Sequence, residues 1–123
     1  MIPDNAVLVV RGEDLDPEIL RADASRFLRR FGGWGKYGIS AFLAADESEV
    51  DVLCETRLEA FTEVVVFTRS DLEGSGVEVV ATFRRPHVTL AHVELNALVN
   101  GILTCEHRVL RNPHHHKPES SGP

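Results

Sequence analysis

The chain has few of the residues that build disulfide scaffolds or zinc sites. Among its 123 residues are two cysteines, one methionine, one tryptophan and one tyrosine. Cys54 and Cys105 show no CxxC spacing, and both fall in patterns typical of helices. Paired or metal-bound cysteines usually come in larger sets or at short spacings. We therefore predict two buried, reduced thiols and no structural metal.

Long hydrophobic runs are also missing. The longest uninterrupted apolar stretches, such as residues 6–10 and 64–67, are far shorter than the roughly 20 residues that span a bilayer. The N-terminus shows no basic segment followed by an apolar run, which is the pattern of a secretory signal. We therefore expect no membrane association and a cytoplasmic location.

Lysine is scarce, because 11 of the 13 basic residues are arginine. The net charge of −6 argues against a non-specific nucleic-acid binder, whose affinity depends on neutralising many phosphates. All six histidines lie in the second half of the chain, and residues 84–116 hold four arginines against two glutamates. A forked guanidinium suits carboxylate or phosphate recognition, although a general preference for arginine explains the same count. The pattern is compatible with a small, locally basic pocket in the C-terminal third.

Apolar residues make up 43% of the chain and charged residues 26%, which is typical of one folded domain. Residues 113–123 are rich in His, Pro, Ser and Gly, which predicts a disordered tail after a globular domain of residues 1–112. The order of elements predicts a single α+β domain, with a mixed or antiparallel sheet of about five strands and two or three helices. The predicted strands are residues 6–11, 39–44, 62–68, 77–83 and 87–92, and the predicted helices begin at Asp16–Pro17, at Asp46 and at Val93, with a single helical turn over 70–74.

The segment Arg84-Arg85-Pro86-His87-Val88-Thr89-Leu90 is the most specific local signal. Side chains alternate along a strand, so His87 and Thr89 share one face while Val88 and Leu90 point to the core. This pattern resembles one half of the 2H phosphoesterase signature, in which a His and a Thr or Ser recur in two copies. The resemblance implies that His87 is the acid or base and that the Thr89 hydroxyl holds phosphate.

This chain departs from that signature in one respect. The motif occurs once, since His92-Val93-Glu94-Leu95 has Glu where the hydroxyl belongs. Independently of the family, a histidine titrates near neutral pH, and Arg84 and Arg85 are close enough in sequence to bind an anionic group. The alternative is an ordinary strand whose His and Thr only face solvent.

A second group of candidates follows the last predicted helix. Arg111 and His114 are placed to bind an anion, and residues 108–114 form a candidate closing element over the site. Three consecutive histidines, His114 to His116, are not by themselves a metal site, because a bound metal needs further ligands.

Arg11 and Ser40 carry a different hypothesis. An Arg closing an early strand and a Ser on the following strand resemble the NAD-binding pattern of ADP-ribosyltransferases. That resemblance also implies a catalytic glutamate on a later strand, and Glu78 is the candidate.

The chain as a whole is similar to a diffuse group of small bacterial toxin-like proteins through the segments VLVVRG, YGISAF, ATFRRPHVTL and RNPHH. This resemblance implies a small cognate antitoxin-like partner. The leading hypothesis is a toxin-like, metal-independent ribonuclease or phosphoesterase that needs no cofactor. In this hypothesis, His87 transfers the proton, and Thr89 and Arg85 bind the phosphate. An NAD-consuming transferase and a non-enzymatic interaction module are the alternatives.

Overall fold

The computed structural model describes residues 7–12 and 15–115. These residues form six strands and four helices, joined by turns and loops. The α+β prediction is confirmed. A single 3₁₀ turn, Gly32–Trp34, follows the first helix. The strands are β1 (Leu8–Gly12), β2 (Tyr37–Ala44), β3 (Glu63–Thr68), β4 (Glu78–Ala81), β5 (His87–His92) and β6 (Arg108–Arg111), and the helices are α1 (Pro17–Arg30), α2 (Glu47–Glu55), α3 (Arg69–Gly74) and α4 (Leu95–Thr104).

Side-chain caps set the starts of the two helices predicted from Asp16 and Asp46. The Asp16 carboxylate accepts hydrogen bonds from the backbone N–H groups of Glu18 and Ile19. Asp46 accepts from the N–H of Glu49, whose own carboxylate accepts from the N–H of Ala45. These bonds satisfy donors that the first turn of a helix leaves free. Both predicted helix starts are confirmed.

All strand pairs are antiparallel, in the order β4-β5-β2-β1-β3-β6. The sheet therefore has six strands where about five were predicted. The additional strand is β6, which pairs with β3 at one edge. Its sequence, Arg-Val-Leu-Arg, is short and charged at both ends, so it lacks the apolar run by which buried strands are recognised.

Alternate residues of the central strands contact two different cores. Val9, Ile39 and Leu90 belong to one core, which also contains apolar residues of α1, α3 and α4. Val10 and Val66 belong to the other, which contains apolar residues of α2. Within the described ranges, no residue of β4 or β5 takes part in this second core. On this side of the sheet, α2 therefore does not pack against β4 and β5.

The two cysteines behave as predicted. Cys54 ends the buried face of α2 and Cys105 follows α4, and both are buried free thiols. Burial raises the pKa of each thiol, and nearby acidic groups add to the effect, while an interaction with the Ser75 side chain partly offsets it at Cys105. These cysteines are therefore protonated core residues at neutral pH.

Residues 113–115 are not a free tail in this structure. The backbone N–H of His114 donates to the Asn112 side chain, and the His114 ring lies 3.0 Å from the Asp51 carboxylate. The rest of the predicted tail, including His116, lies outside the described residues.

Asn112 joins the end of β6 to the segment that follows α2. Its side-chain amide nitrogen lies 2.9–3.1 Å from three carbonyl oxygens, those of Cys54, Leu58 and Phe61. The residue is only 3% exposed. Its removal would leave buried carbonyls without a donor, which is costly.

Asn112→Ala should therefore lower the free energy of unfolding by about 2 kcal/mol. Asn100→Ala is the control, because Asn100 is an exposed residue of α4 and its loss should change stability by no more than about 0.5 kcal/mol. Urea unfolding of the two variants measures both effects. Equal free energies of unfolding for the two variants would show that the Asn112 amide does not stabilise the fold.

Candidate functional site

His87 and Ser40 are brought together by the pairing of β2 with β5. In this register Ser40 lies opposite Thr89 and Phe42 lies opposite His87, so Ser40 and His87 are diagonal neighbours on one face. The Ser40 Oγ lies 3.1 Å from His87 Nε2. Ser40 is exposed and the His87 ring is half-buried. A hydroxyl and an imidazole thus meet at the surface that α2 leaves uncovered.

The other side of the ring is held by Thr82, which follows β4. Thr82 Oγ1 lies 2.8 Å from His87 Nδ1 and also 2.8 Å from Thr89 Oγ1. The chain of polar contacts therefore runs from Thr89 through Thr82 and His87 to Ser40. Sequence reasoning missed Thr82, although a hydroxyl at the end of the strand paired with His87 was the available signal.

Thr89 does not have the role predicted for it. Its exposure is 0%, so its hydroxyl is not open to a phosphate group. The strand alternation correctly placed it on the face of His87, but β4 pairs beside it and the side chain of Thr82 contacts its hydroxyl. Thr89 supports Thr82 and acts on His87 only through that residue.

Thr89 also depends on the absence of a side chain at Gly38. A Cβ at Gly38 would lie 2.6 Å from Thr89 Cγ2 and 2.7 Å from Phe27 Cδ1, which is closer than real contacts allow. Gly38→Ala should therefore lower the free energy of unfolding by about 1–3 kcal/mol through overpacking. Gly33→Ala is the matched control, because a Cβ there meets nothing within 4 Å. If both alanine variants unfold at the same urea concentration, the surroundings of Gly38 accommodate a methyl group without loss of stability.

The loop between β4 and β5 sets the position of Thr82 relative to His87. The His87 N–H donates to the Arg84 carbonyl, and the Arg85–Pro86 peptide bond is cis, as in a type VI turn. The Pro86 carbonyl accepts from the Leu43 N–H, which extends the β2–β5 ladder into the loop. Arg84 and Arg85 are both exposed on this turn.

The surroundings of His87 favour its neutral form. Burial lowers the pKa of the imidazole, an interaction with the Thr82 backbone raises it, and the positive charge of Arg57 lowers it further, with a net decrease. Both ring nitrogens face hydroxyl groups, since Thr82 Oγ1 lies beside Nδ1 and Ser40 Oγ beside Nε2. A neutral imidazole is the form of histidine that accepts a proton.

A positively charged pocket begins at Ser40. It has a volume of about 470 Å³, and its lining includes the guanidinium groups of Arg11, Arg26 and Arg30 and the single carboxylate of Asp23. Asp23 bonds both Arg11 and Arg26, at 3.1 Å and 3.0 Å. We call this cavity the arginine pocket. Three arginines and one aspartate give its lining an excess of positive charge, and Ser40 lines it as well.

Arg11 has a structural part in the arginine pocket. Its guanidinium donates to the Ser40 carbonyl oxygen and to Asp23, and its side chain is 13% exposed. The predicted proximity of Arg11 and Ser40 is therefore found, through the Ser40 backbone. Arg26 and Arg30 were missed because they lie on α1, and the sequence does not show that the end of this helix lies beside β2.

A second, larger cleft lies next to His87. Its volume is about 970 Å³, and apolar residues such as Leu43, Val52 and Pro86 line it together with Arg85 and His87. We call it the apolar cleft. Phe83 lines both this cleft and the arginine pocket.

The prediction that residues 108–114 close over His87 is wrong. Arg111 lies on β6, and three strands separate β6 from β5 in the sheet. His114 contacts Asp51 of α2, on the β6 side of the molecule. Adjacent strands lie about 4.8 Å apart, so this group is on the order of 20 Å from the histidine.

Glu78 is also separated from the residues with which it was grouped. It lies on β4, and β5 stands between β4 and the strand of Ser40. Its carboxylate is 2.6 Å from the Lys36 ammonium. The described part of the chain also holds no group of three or more His, Cys, Asp or Glu side chains arranged for a metal ion.

Comparison of the chain with protein-family models, with curated proteins and with solved structures finds no match. No helix in the described residues has both the length and the apolar character that crossing a bilayer requires.

The electrostatics of His87 can be tested by titration. Its pKa, followed by NMR of the ring protons, should lie below the ordinary value of 6.5. Arg57→Gln should raise this pKa, because a nearby positive charge is lost. Arg111→Gln, three strands away, should leave it unchanged. If neither substitution moves the pKa, Arg57 does not act on the ring.

The same shift predicts how stability depends on pH. The unfolded chain binds the proton of His87 more tightly than the folded chain, so this residue makes the protein less stable as the pH falls through 6.5 towards the lower folded-state pKa. His87→Asn should flatten the unfolding free energy in this window.

Proposed function

We propose that the protein is an enzyme that acts on RNA or another phosphate-bearing substrate, with His87 as the proton-transferring group. The observation that supports this most strongly is the contact of His87 with Ser40, a residue that also lines the arginine pocket. A neutral imidazole can take the proton of an attacking hydroxyl, and guanidinium groups stabilise the negative charge of a phosphoryl group.

The arginine pocket binds the phosphate in this proposal. Arg26 and Arg30 are both exposed residues of α1, and both line the pocket. Arg11 contributes positive charge while it holds the Ser40 backbone. The Ser40 hydroxyl donates to a phosphate oxygen. Arg84 and Arg85 contact the chain of the substrate on the other side of His87.

The chemical step uses Nε2 as a base. It takes the proton from the attacking hydroxyl, which in RNA is the ribose 2′-OH, while the oxygen forms a bond to phosphorus. The bond from phosphorus to the leaving oxygen breaks, and this oxygen takes a proton from water. The protonated His87 then returns its proton to solvent. Thr82 keeps the ring in place throughout by holding Nδ1.

The geometry favours this function over the two alternatives. A transferase site built from Arg11, Ser40 and Glu78 would need the glutamate in the arginine pocket, and its carboxylate instead contacts Lys36. Protein–protein interaction alone does not require a neutral histidine whose ring lies between a threonine hydroxyl and an exposed serine hydroxyl. An acidic antitoxin-like protein fits the proposal as a partner, because it would block the arginine pocket.

The test is inducible expression in a heterologous bacterium, combined with cleavage of RNA by the purified protein. His87→Gln should reduce the cleavage rate by about 100-fold or more, which is typical for loss of a general base. His114→Gln is the matched control and should retain full activity, because His114 lies at the other edge of the sheet. The rate should rise with pH up to the pKa of His87, below 6.5, and then level off.

Each other outcome selects a different function. Cleavage that survives His87→Gln in a folded variant would rule out the proposal. Loss of cellular NAD without RNA cleavage would favour the transferase. No growth arrest and no loss of either molecule, with a stoichiometric partner in the purified material, would favour the interaction module.

A further inference from the structure

Phe83 is placed in an unusual way for a large apolar residue. It is 69% exposed, the largest value among the exposed large hydrophobic side chains of the described residues. Its backbone φ is +54°, in the left-handed region that residues other than glycine rarely occupy. Both features cost free energy, and such costs at one residue are typical of functional sites.

The contacts of the ring leave most of it free. It meets the His87 ring at a centroid distance of 5.0 Å and an angle of 54°, and the Phe31 ring at 5.5 Å and 50°. Both are tilted contacts rather than parallel stacks. The ring therefore remains open to another flat group.

The position of Phe83 relates it to both cavities. It lines the arginine pocket together with Ser40 and Arg30, and it lines the apolar cleft together with His87 and Arg85. A phosphate bound in the arginine pocket would thus have an exposed aromatic ring as its neighbour. Nucleotides carry a phosphate and a flat base within reach of each other, and bases stack on exposed aromatic side chains.

We propose that Phe83 stacks on a base of the substrate and that the substrate is therefore single-stranded RNA, in which bases are free to stack on protein. The inference rests on the proposed function for the phosphate site. A base within a duplex already has neighbours on both faces, so a double-stranded substrate would not use the ring. Phe83 is in this sense a specificity-determining residue.

The test compares two probes that His87 does not cleave. One is a short single-stranded oligoribonucleotide with 2′-O-methyl groups, and the other is the abasic strand with the same 2′-O-methyl groups, length and charge. The native protein should bind the strand with bases about tenfold more tightly than the abasic strand, in line with one base–aromatic stack. Phe83→Leu should abolish most of this ratio and Phe83→Tyr should retain it, while affinity for the abasic strand stays the same in both.

Two controls separate stacking from a loss of structure. Val93→Ala removes another exposed apolar side chain, 61% exposed, just beyond the opposite end of β5, and should leave the ratio unchanged. Phe83→Gly adopts the positive φ without strain, so it should keep or raise the melting temperature while it loses the ratio. This variant carries the test if Phe83→Leu fails to fold.

The inference fails if Phe83→Leu and Phe83→Gly both keep the native ratio, or if a duplex or a phosphorylated peptide binds as tightly as the single strand. The proposed function fails separately. RNA cleavage that is unaffected by His87→Gln would remove the catalytic role and leave the ratio of the two uncleavable probes as an independent result.

Discussion

The register between β2 and β5 is the constraint on which the site depends. Six residue pairs join these strands, and the bond from Leu43 to Pro86 continues the ladder into the turn before His87. A slip of one residue would turn every side chain of one strand to the opposite face. Ser40 would then point into the core while His87 stayed outside. The buried partners Ile39 and Leu90 oppose such a slip, so the apolar core fixes the polar contact.

In the described residues, the ring nitrogens of His87 have hydroxyl groups as their hydrogen-bonding neighbours. Thr82 contacts Nδ1 where many hydrolytic sites place a carboxylate, and the positive charge of Arg57 also acts on the ring. A carboxylate would raise the pKa of the imidazole, whereas burial and Arg57 lower it. The carboxylate of Asp23 bonds two arginines of the pocket, Arg11 and Arg26. The proposed site therefore combines a neutral imidazole with a pocket lined by arginines.

Local chemistry made part of this structure predictable. The caps at Asp16 and Asp46 and the shared face of His87 and Thr89 follow from rules that act over a few residues. The burial of Thr89 does not, because alternation identifies a face without telling whether a neighbouring strand covers it. Arg26 and Arg30 needed the path of α1 past β2, and the distance of His114 from the site needed the strand order. Each of these depends on contacts between residues far apart in sequence.

The two edges of the sheet bear on how the molecule behaves at high concentration. Both edge strands, β4 and β6, have only four residues, and β6 carries an arginine at each end. An outer strand with free backbone groups can recruit a strand from another molecule, which leads to aggregation. A short edge offers few hydrogen bonds, and the like charges of two β6 strands would repel each other. These short edge strands thus limit the addition of further strands, and with it the assembly of the protein into fibres.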